Sequence, residues 1–300
     1  MNMFFPCKFR QARDFVDSSA RPLERALAAF HLDGGPAHAV YAELRAFQNE
    51  DGGFGHGLEA DVRLADSSVI ATTVALQILH DLDTPSHHAL ISGAMRYLLE
   101  TYHPETSTWE PVPRNVSDMP HAPWWTYTPD HEKHGLNPTA EIIGGFHDYP
   151  RLVKIDLIEA LDEIVVSRIE AAHGALEMHE LLCCIRLAER KRVLQITRVR
   201  IIEAVKPSVE QATERNPSKW AGYVMTPLDV APTPGSLFAS MLKPEIDIQL
   251  DYLVEQLGKG PITPNWQWGD HSEAWEQAKT EWTGVLTLQA MKRVKAWGRM

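Results

Sequence analysis

Three carboxylates, Asp61, Asp66 and Glu141, are the residues best suited by type and position to donate a proton. Burial of a carboxyl group raises its pKa, so that it keeps its proton and can act as a general acid. Two simpler interpretations stay open. Asp66 could cap the N-terminus of the helix that follows it, and Asp61 could be a salt-bridge partner of Arg63.

A second group of residues could hold a substrate near these carboxylates. Trp124, Trp125 and Tyr127 lie in a loop of roughly 30 residues, and loops of that length are often functional. Their rings could contact an apolar chain or stack on a sugar ring, but they could equally plug the mouth of a helical barrel as a lid. The predicted binding residues are His56, Trp124, Trp125, Tyr127, Asn137, Asp270 and His271.

The histidines and cysteines do not predict a metal site, although the chain contains 14 His and three Cys. His179 and Cys183 are four residues apart and share one helical face, but a third ligand would have to come from elsewhere. Packing of small thiols in a core is the simpler explanation of Cys183. Phosphate-binding, dinucleotide-binding and zinc-protease motifs are also missing. We therefore predict no metal and no cofactor.

Composition and charge narrow the classes of partner. The chain is 44% hydrophobic and 23% charged, which is typical of a soluble globular protein. Its 29 Lys and Arg against 40 Asp and Glu give a formal net charge of −11, which disfavours nucleic acid as a partner. No run of about 18 apolar residues occurs, so we predict no membrane span. Few cysteines and no secretory signal predict a cytoplasmic protein.

Apolar residues recur at helical spacing along nearly the whole chain, which predicts an all-α protein. More polar helices alternate with more apolar ones, and a helix that is apolar on several faces must be buried. This alternation predicts six helix hairpins in two concentric rings, as a single domain over residues 1–300. Inner helices are expected near 20–32, 67–80, 138–147, 174–189, 234–243 and 274–296. Outer helices are expected near 8–17, 36–49, 85–102, 151–170, 193–214 and 245–258.

Capping residues predict several helix boundaries. Pro22 fits the first turn of one helix, which Gly34 would end. Thr84 is expected to be the N-cap of the helix beginning near Ser86, and Asn137 the N-cap of a helix with Pro138 in its first turn. Capping alone would explain Asn137, without any role in binding.

The segment from Gln48 to Leu76 resembles a known repeat. Gln48-x-x-x-Gly52-x-Phe54 matches the QW-type motif of squalene and hopene cyclases, with Phe in place of Trp. The sequence Asp51-Gly52-Gly53-Phe54-Gly55, a polar turn and an apolar helix together look like a repeat of the protein prenyltransferase β subunit. This resemblance implies the α/α toroid of terpenoid cyclases and protein prenyltransferases. The motif itself is structural and identifies the barrel rather than its chemistry.

The resemblance also implies where a site would lie. In this toroid the N-termini of the inner helices meet at one end of the central cavity, where their dipoles favour anionic groups. We therefore expect at least three of Asp61, Asp66, Glu141 and Asp270 to open into one cavity. The acid motif of the cyclases, DxDD, is missing, as are DDxxD and a cysteine in the turn after Gly53.

Together these patterns predict a toroid that binds or converts an isoprenoid-like apolar substrate, by acid-initiated chemistry if it is an enzyme. Two alternatives stay open. The missing motifs favour a non-catalytic binding or scaffold protein on the same fold. The acid-rich turns and the paired tryptophans would suit a carbohydrate-active (α/α)6 hydrolase or lyase, which uses paired carboxylates and a sugar-like ligand.

Overall fold

The computed structural model describes residues 7–128, 135–269 and 272–300, which contain twelve α-helices and no β-strand. Helix accounts for 61% of the structure, and the prediction of an all-α protein is confirmed. The first six helices are α1 (Arg10–Ser19), α2 (Pro22–Asp33), α3 (Ala37–Arg45), α4 (Val69–Asp81), α5 (Ala89–Glu100) and α6 (Leu136–Asp148). The others are α7 (Ile155–Ala171), α8 (Met178–Glu189), α9 (Gln195–Ala212), α10 (Pro227–Val230), α11 (Lys243–Lys259) and α12 (Ser272–Ala296).

Proline and glycine set the ends of α2 as predicted. Pro22 is in its first turn, where the missing N–H has no intrahelical partner to lose, and Gly34 ends it with a left-handed φ of 76°. The predicted start of α5 is wrong. His88, not Thr84, is its N-cap, because the chain first makes a turn in which His88 N–H donates to the Pro85 carbonyl at 2.9 Å.

One further prediction of local structure is corrected. The inner helix expected near 234–243 is not formed, and the neighbouring helix is the single turn α10. Pro232, Pro234 and Gly235 explain the difference, since proline disfavours helical backbone at and before its position. Asn137 has the extended backbone expected of an N-cap before Pro138, at φ −101° and ψ 116°, so α6 has a kink there and its regular part begins at Pro138.

One compact unit, here called the continuous unit, comprises residues Phe47–Ala212. Its helix α6 packs against α4 and α8, while α7 packs against α6 and α9. Helix α6 is buried along almost its whole length, from Pro138 to His147, as expected of an inner helix. Alternate helices are therefore neighbours, and the most apolar ones lie side by side.

The other compact unit, here called the split unit, combines residues Met1–Ala46 with Thr213–Met300. Helix α1 packs against α2, α11 and α12, and α12 also packs against α2. The Lys295 ammonium donates to the carbonyls of His31 (2.7 Å) and Leu32 (3.1 Å), so a residue of α12 caps the C-terminal end of α2. The single domain over residues 1–300 stays a prediction.

The segment Gln48 to Phe54 joins a tight turn to α5. The Gln48 amide Nε2 donates to the carbonyls of Gly52 (2.9 Å) and Leu90 (3.1 Å), and Phe54 is fully buried. Gly52 has a φ of 92°, and a Cβ built on it would lie 2.4 Å from the carbonyl oxygen of Gly93. These contacts agree with the structural role expected of the motif, because only glycine permits both the φ and the close approach.

Candidate functional site

Two loops of the continuous unit, residues 56–70 and 109–127, pair through their backbones, and we call them together the loop cluster. Three backbone hydrogen bonds join them. Those from Arg63 N to Pro120 O (3.0 Å) and from Ala122 N to Asp61 O (2.8 Å) form a β-bridge between Val62 and His121, and the third runs from Ile70 N to Pro111 O (2.9 Å). The loop cluster therefore brings together the first two groups of predicted site residues, which are about 60 positions apart.

An apolar floor lies beneath the loop cluster. Its buried members are Val62, Leu64, Ile70, Val112 and Val116, against which Trp125 and Tyr127 pack. Trp125 and Tyr127 are half-buried, whereas the neighbouring Trp124 is 50% exposed. The aromatic pair therefore covers an apolar surface and leaves part of each ring accessible.

The two predicted acids of this region have different surroundings. Asp61 is only 3% exposed, and its backbone amide donates to Oε1 of Glu59 at 3.4 Å. Asp66 is exposed, and its Oδ2 accepts a hydrogen bond from Nδ2 of Asn115 at 2.7 Å. Burial therefore distinguishes Asp61 from Asp66, and it is Asp61 that occupies the environment needed by a general acid.

The N-cap of α4 is Ser68, whose Oγ accepts from the Ala71 amide at 3.2 Å. The alternative that Asp66 caps this helix is therefore wrong. The salt bridge between Asp61 and Arg63 stays a prediction.

Polar groups surround the aromatic pair. The Tyr127 hydroxyl donates to Oε1 of Glu110 at 3.2 Å and accepts from Nε of Arg114 at 3.1 Å. Nε1 of Trp125 is buried and has no hydrogen-bond partner among the described residues. A buried donor without an acceptor is unfavourable by about 1–3 kcal/mol. An acceptor that reached Trp125 would therefore relieve this cost.

His56 lies on the first loop of the cluster, five positions before Asp61. Its ring is exposed, and Nε2 lies 2.8 Å from Oδ1 of Asn49. Asn49 was not predicted as a site residue, and only its position immediately after Gln48 in the motif could have suggested it.

Glu141 lies in a different environment, facing α8. Its carboxylate oxygens accept from Nη1 of Arg186 and from Nη2 of Arg190, the latter at 2.9 Å. The second guanidinium nitrogen of Arg190 lies 3.1 Å from Asp148, which in turn pairs with Nδ1 of His80 at 2.8 Å. Glu141 is thus held in an ion-pair network between α6 and the end of α8, an arrangement that favours a structural role over proton donation.

Asn137 also faces α8, and its described side-chain contact is with Cys183 and not with the aromatic pair. Its Oδ1 accepts from the thiol of Cys183 at 3.6 Å, and burial raises the pKa of that thiol to about 12. His179, predicted to share a face with Cys183, instead places Nδ1 2.8 Å from Glu177. Asp270 and His271 lie outside the described residues.

The two arginine partners of Glu141 were not predicted, although their spacing offers a signal. Arg186 lies in α8 and Arg190 is the C-cap residue four positions later, and both adjoin the apolar residues Cys183 to Ile185, Leu187 and Ala188. Such charges need a buried partner, and Glu141 is the carboxylate of the neighbouring apolar helix α6.

Across residues 7–128, 135–269 and 272–300, no three or more His, Cys, Asp or Glu side chains are placed to hold a metal ion. Of the helices described there, none has the length and apolar character needed to cross a bilayer.

Comparison with known proteins adds no relative. No family model matches the chain, and no curated protein or solved structure is significantly similar to it. The resemblance to terpenoid cyclases and protein prenyltransferases therefore rests on the motif from Gln48 to Phe54. The function has to be argued from the contacts of the loop cluster.

Proposed function

We propose that the loop cluster binds a small molecule with an isoprenoid-like apolar body. The observation that carries the proposal is the position of Trp125, which packs on an apolar floor with an unused buried N–H. Ala122 joins Trp125 to the buried acid, because it donates to the Asp61 carbonyl and accepts from the Trp125 amide at 2.9 Å. An apolar surface, a buried donor without a described partner and a buried carboxylate therefore lie within the loop cluster.

The packing of the continuous unit supports a toroidal architecture for this protein. Helix α6, which is buried along almost its whole length, packs against both α4 and α8, and α7 packs against α9. A closed ring of helix hairpins requires this pairing of alternate helices. The α/α toroid and its cyclase-like or prenyltransferase-like character remain part of the proposal.

Asp61 is the best of the three predicted acids if the bound molecule is also converted. Asp66 is solvated, and Glu141 is neutralised by two arginines. Asp61 alone combines burial with a place beside the aromatic pair. It would donate the proton that starts acid-initiated chemistry, and Trp125 would stabilise the apolar body of the substrate.

Native mass spectrometry of freshly purified protein tests the proposal, followed by titration with farnesol as a model isoprenoid. We expect a retained isoprenoid, or quenching of tryptophan fluorescence on titration, and at least tenfold weaker binding in Trp125→Phe. The matched control is Trp266→Phe, because Trp266 also has a buried Nε1 without a described partner but belongs to the split unit. If the purified protein retains no isoprenoid and binds none that is added, the proposal is overturned.

The half-exposed ring of Trp124 favours a second candidate, a sugar-like ligand that stacks on it. Glu110, held by the Tyr127 hydroxyl, and Asp61 would be the carboxylates of such a site. Titration with a panel of oligosaccharides, using Trp124→Ala as the variant, distinguishes this candidate from the first. If neither ligand class binds, the non-catalytic scaffold is the remaining function.

A further inference from the structure

We propose that the groove between α7 and α9 is a docking site for a basic amphipathic helix of a partner protein. The groove has a volume of about 440 Å³ and is lined by residues of α7, of α9 and of the turn that follows α7. It belongs to the continuous unit but lies outside the loop cluster, so the proposal does not depend on the ligand of that cluster. Exposed aliphatic side chains and an excess of carboxylates carry it.

An apolar row on α9 forms one wall of the groove. Val199, Ala204 and Pro207 line the groove, and Ile196 continues the row because it precedes Val199 by one turn of the helix. Ile196 is 70% exposed and Val199 is 43% exposed, so both still gain by removal from water. At the rise of an α-helix, the row from Ile196 to Pro207 is about 16 Å long. The apolar face of a second helix can cover a row of this length.

Glycine and proline shape one end of the groove. Gly174 has a φ of 82°, and a Cβ built on it would lie 2.8 Å from Cβ of Pro207, so glycine lets the turn after α7 approach α9 closely. Pro207 has no N–H, and the carbonyl of Glu203 therefore lacks the donor that residue 207 would supply inside a helix. That carbonyl can accept a hydrogen bond from a Lys or Arg side chain of a partner.

The charges of the two helices select the class of partner. Arg200 joins α9 to α7, because its Nε lies 3.2 Å from Oε1 of Glu170 and its Nη1 lies 2.9 Å from Oε2 of Glu163. One guanidinium thus serves two carboxylates, and the exposed Glu203 adds a third. In all, α7 and α9 contain seven Asp or Glu against four Lys or Arg. A helix with Lys or Arg beside its apolar face complements this charge, whereas an acidic helix would be repelled.

The experiment titrates the full chain with two fluorescently labelled peptides of about 18 residues, long enough to cover the groove with a turn at each end. Both peptides carry Leu at the spacing of one helical face, and the remaining positions are Lys in one peptide and Glu in the other. Fluorescence anisotropy at low salt should show at least tenfold tighter binding of the Lys peptide, and added salt should reduce this preference. Equal affinities, or no binding of the Lys peptide, would overturn the proposal.

Substitutions in the apolar row locate the peptide. Ile196→Ser combined with Val199→Ser should weaken binding of the Lys peptide at least tenfold, because the row would no longer offer an apolar surface. The matched control is Ile248→Ser, since Ile248 is 51% exposed but lies on α11 of the split unit. Circular dichroism verifies that each variant is folded. Equal losses in the double variant and in the control would overturn the proposal.

A reversed charge and the state of the chain alone complete the test. Glu203→Lys should weaken binding of the Lys peptide and strengthen binding of the Glu peptide, and an unchanged preference would contradict the role of charge. Analytical ultracentrifugation of the chain without peptide distinguishes a partner protein from a second copy. We expect no self-association through the groove. A dimer that the Ile196 and Val199 substitutions dissociate would show that another copy of the chain covers the groove, and it would overturn the proposal of a basic helix.

Discussion

The carboxylate of Glu141 and the guanidinium of Arg190 form an ion pair at 2.9 Å in which both side chains are more than nine-tenths buried. Glu141 lies on α6 and Arg190 directly follows α8, which packs against α6 in the continuous unit. Attraction between such charges is offset by the loss of their hydration, so the intact pair contributes little net stability. Loss of Glu141 would leave the buried Arg190 with Asp148 as its remaining described carboxylate partner, which is more costly than the loss of a surface pair.

Glu141→Gln should lower the free energy of unfolding by about 1–3 kcal/mol, because Arg190 would lose one of its two carboxylate partners and keep only Asp148. Urea unfolding followed by circular dichroism measures this change. Glu163→Gln is the control, since Glu163 pairs with Arg200 at the surface and its loss should have little effect. Equal effects of the two substitutions would contradict the structural role of Glu141.

Gly52→Ala should destabilise the protein by about 2–5 kcal/mol, because alanine would add a strained φ and a clash with Gly93. Gly34→Ala is the control, since Gly34 has a φ of 76° but nothing within 4 Å of an added Cβ. Only the backbone cost, about 1–2 kcal/mol, is expected there. Thermal unfolding of both variants compares the two, and a smaller loss at Gly52 than at Gly34 would be inconsistent with the close approach.

Ser68→Ala should cost about 1 kcal/mol, because it removes the side-chain cap of α4. Asp66→Ala should change the free energy of unfolding by less than about 0.5 kcal/mol, since this exposed residue caps no helix. Chemical denaturation of the two variants measures the difference. The reverse order of effects would restore Asp66 as the N-cap.

One thiol per chain should react rapidly with Ellman's reagent at pH 8, and all three should react after unfolding in urea. Cys7 is exposed, whereas burial raises the pKa of Cys183 to about 12 and that of Cys184 well above its usual value. The thiolate is the reactive form. Cys7→Ser should remove the rapid phase, and a rapid phase that survives this substitution would show that a buried thiol is accessible.

The buried thiol of Cys183 also makes the stability of the protein depend on pH. Because the pKa of Cys183 is raised in the folded state, its contribution is fully present below its ordinary value of 9.0. That contribution is lost as the pH rises toward 12. Cys183→Ala should therefore flatten the decline in unfolding free energy over this range, and an unchanged decline would show that other groups account for it.

The helices could be predicted because their apolar spacing and end residues are local properties. Pro22 and Gly34 act through their own backbones, so their effect on α2 was readable from the sequence. The helix predicted near 234–243 from its apolar spacing does not form, because Pro232, Pro234 and Gly235 disfavour helical backbone there. Local conformational preference decides such a short segment.

The candidate site was only partly predictable, because a sequence identifies reactive residue types but not their partners. Asp61 and Trp125 were both selected, yet their connection through Ala122 depends on how two loops pair. Glu141 was selected as an acid because it lies on an apolar helix. Its partners, Arg186 and Arg190, are 45 and 49 positions away and become apparent only when α6 packs on α8.

The split unit has a consequence for synthesis on the ribosome. Helices α1 and α2 emerge first, but α11 and α12, against which they pack, are translated last. At about 5–20 residues per second, the interval exceeds roughly ten seconds. The continuous unit has all its residues by then, while the apolar faces of α1 and α2 still await their partners and the Lys295 cap. A nascent chain arrested before residue 243 would therefore expose these two helices, even with residues 47–212 complete.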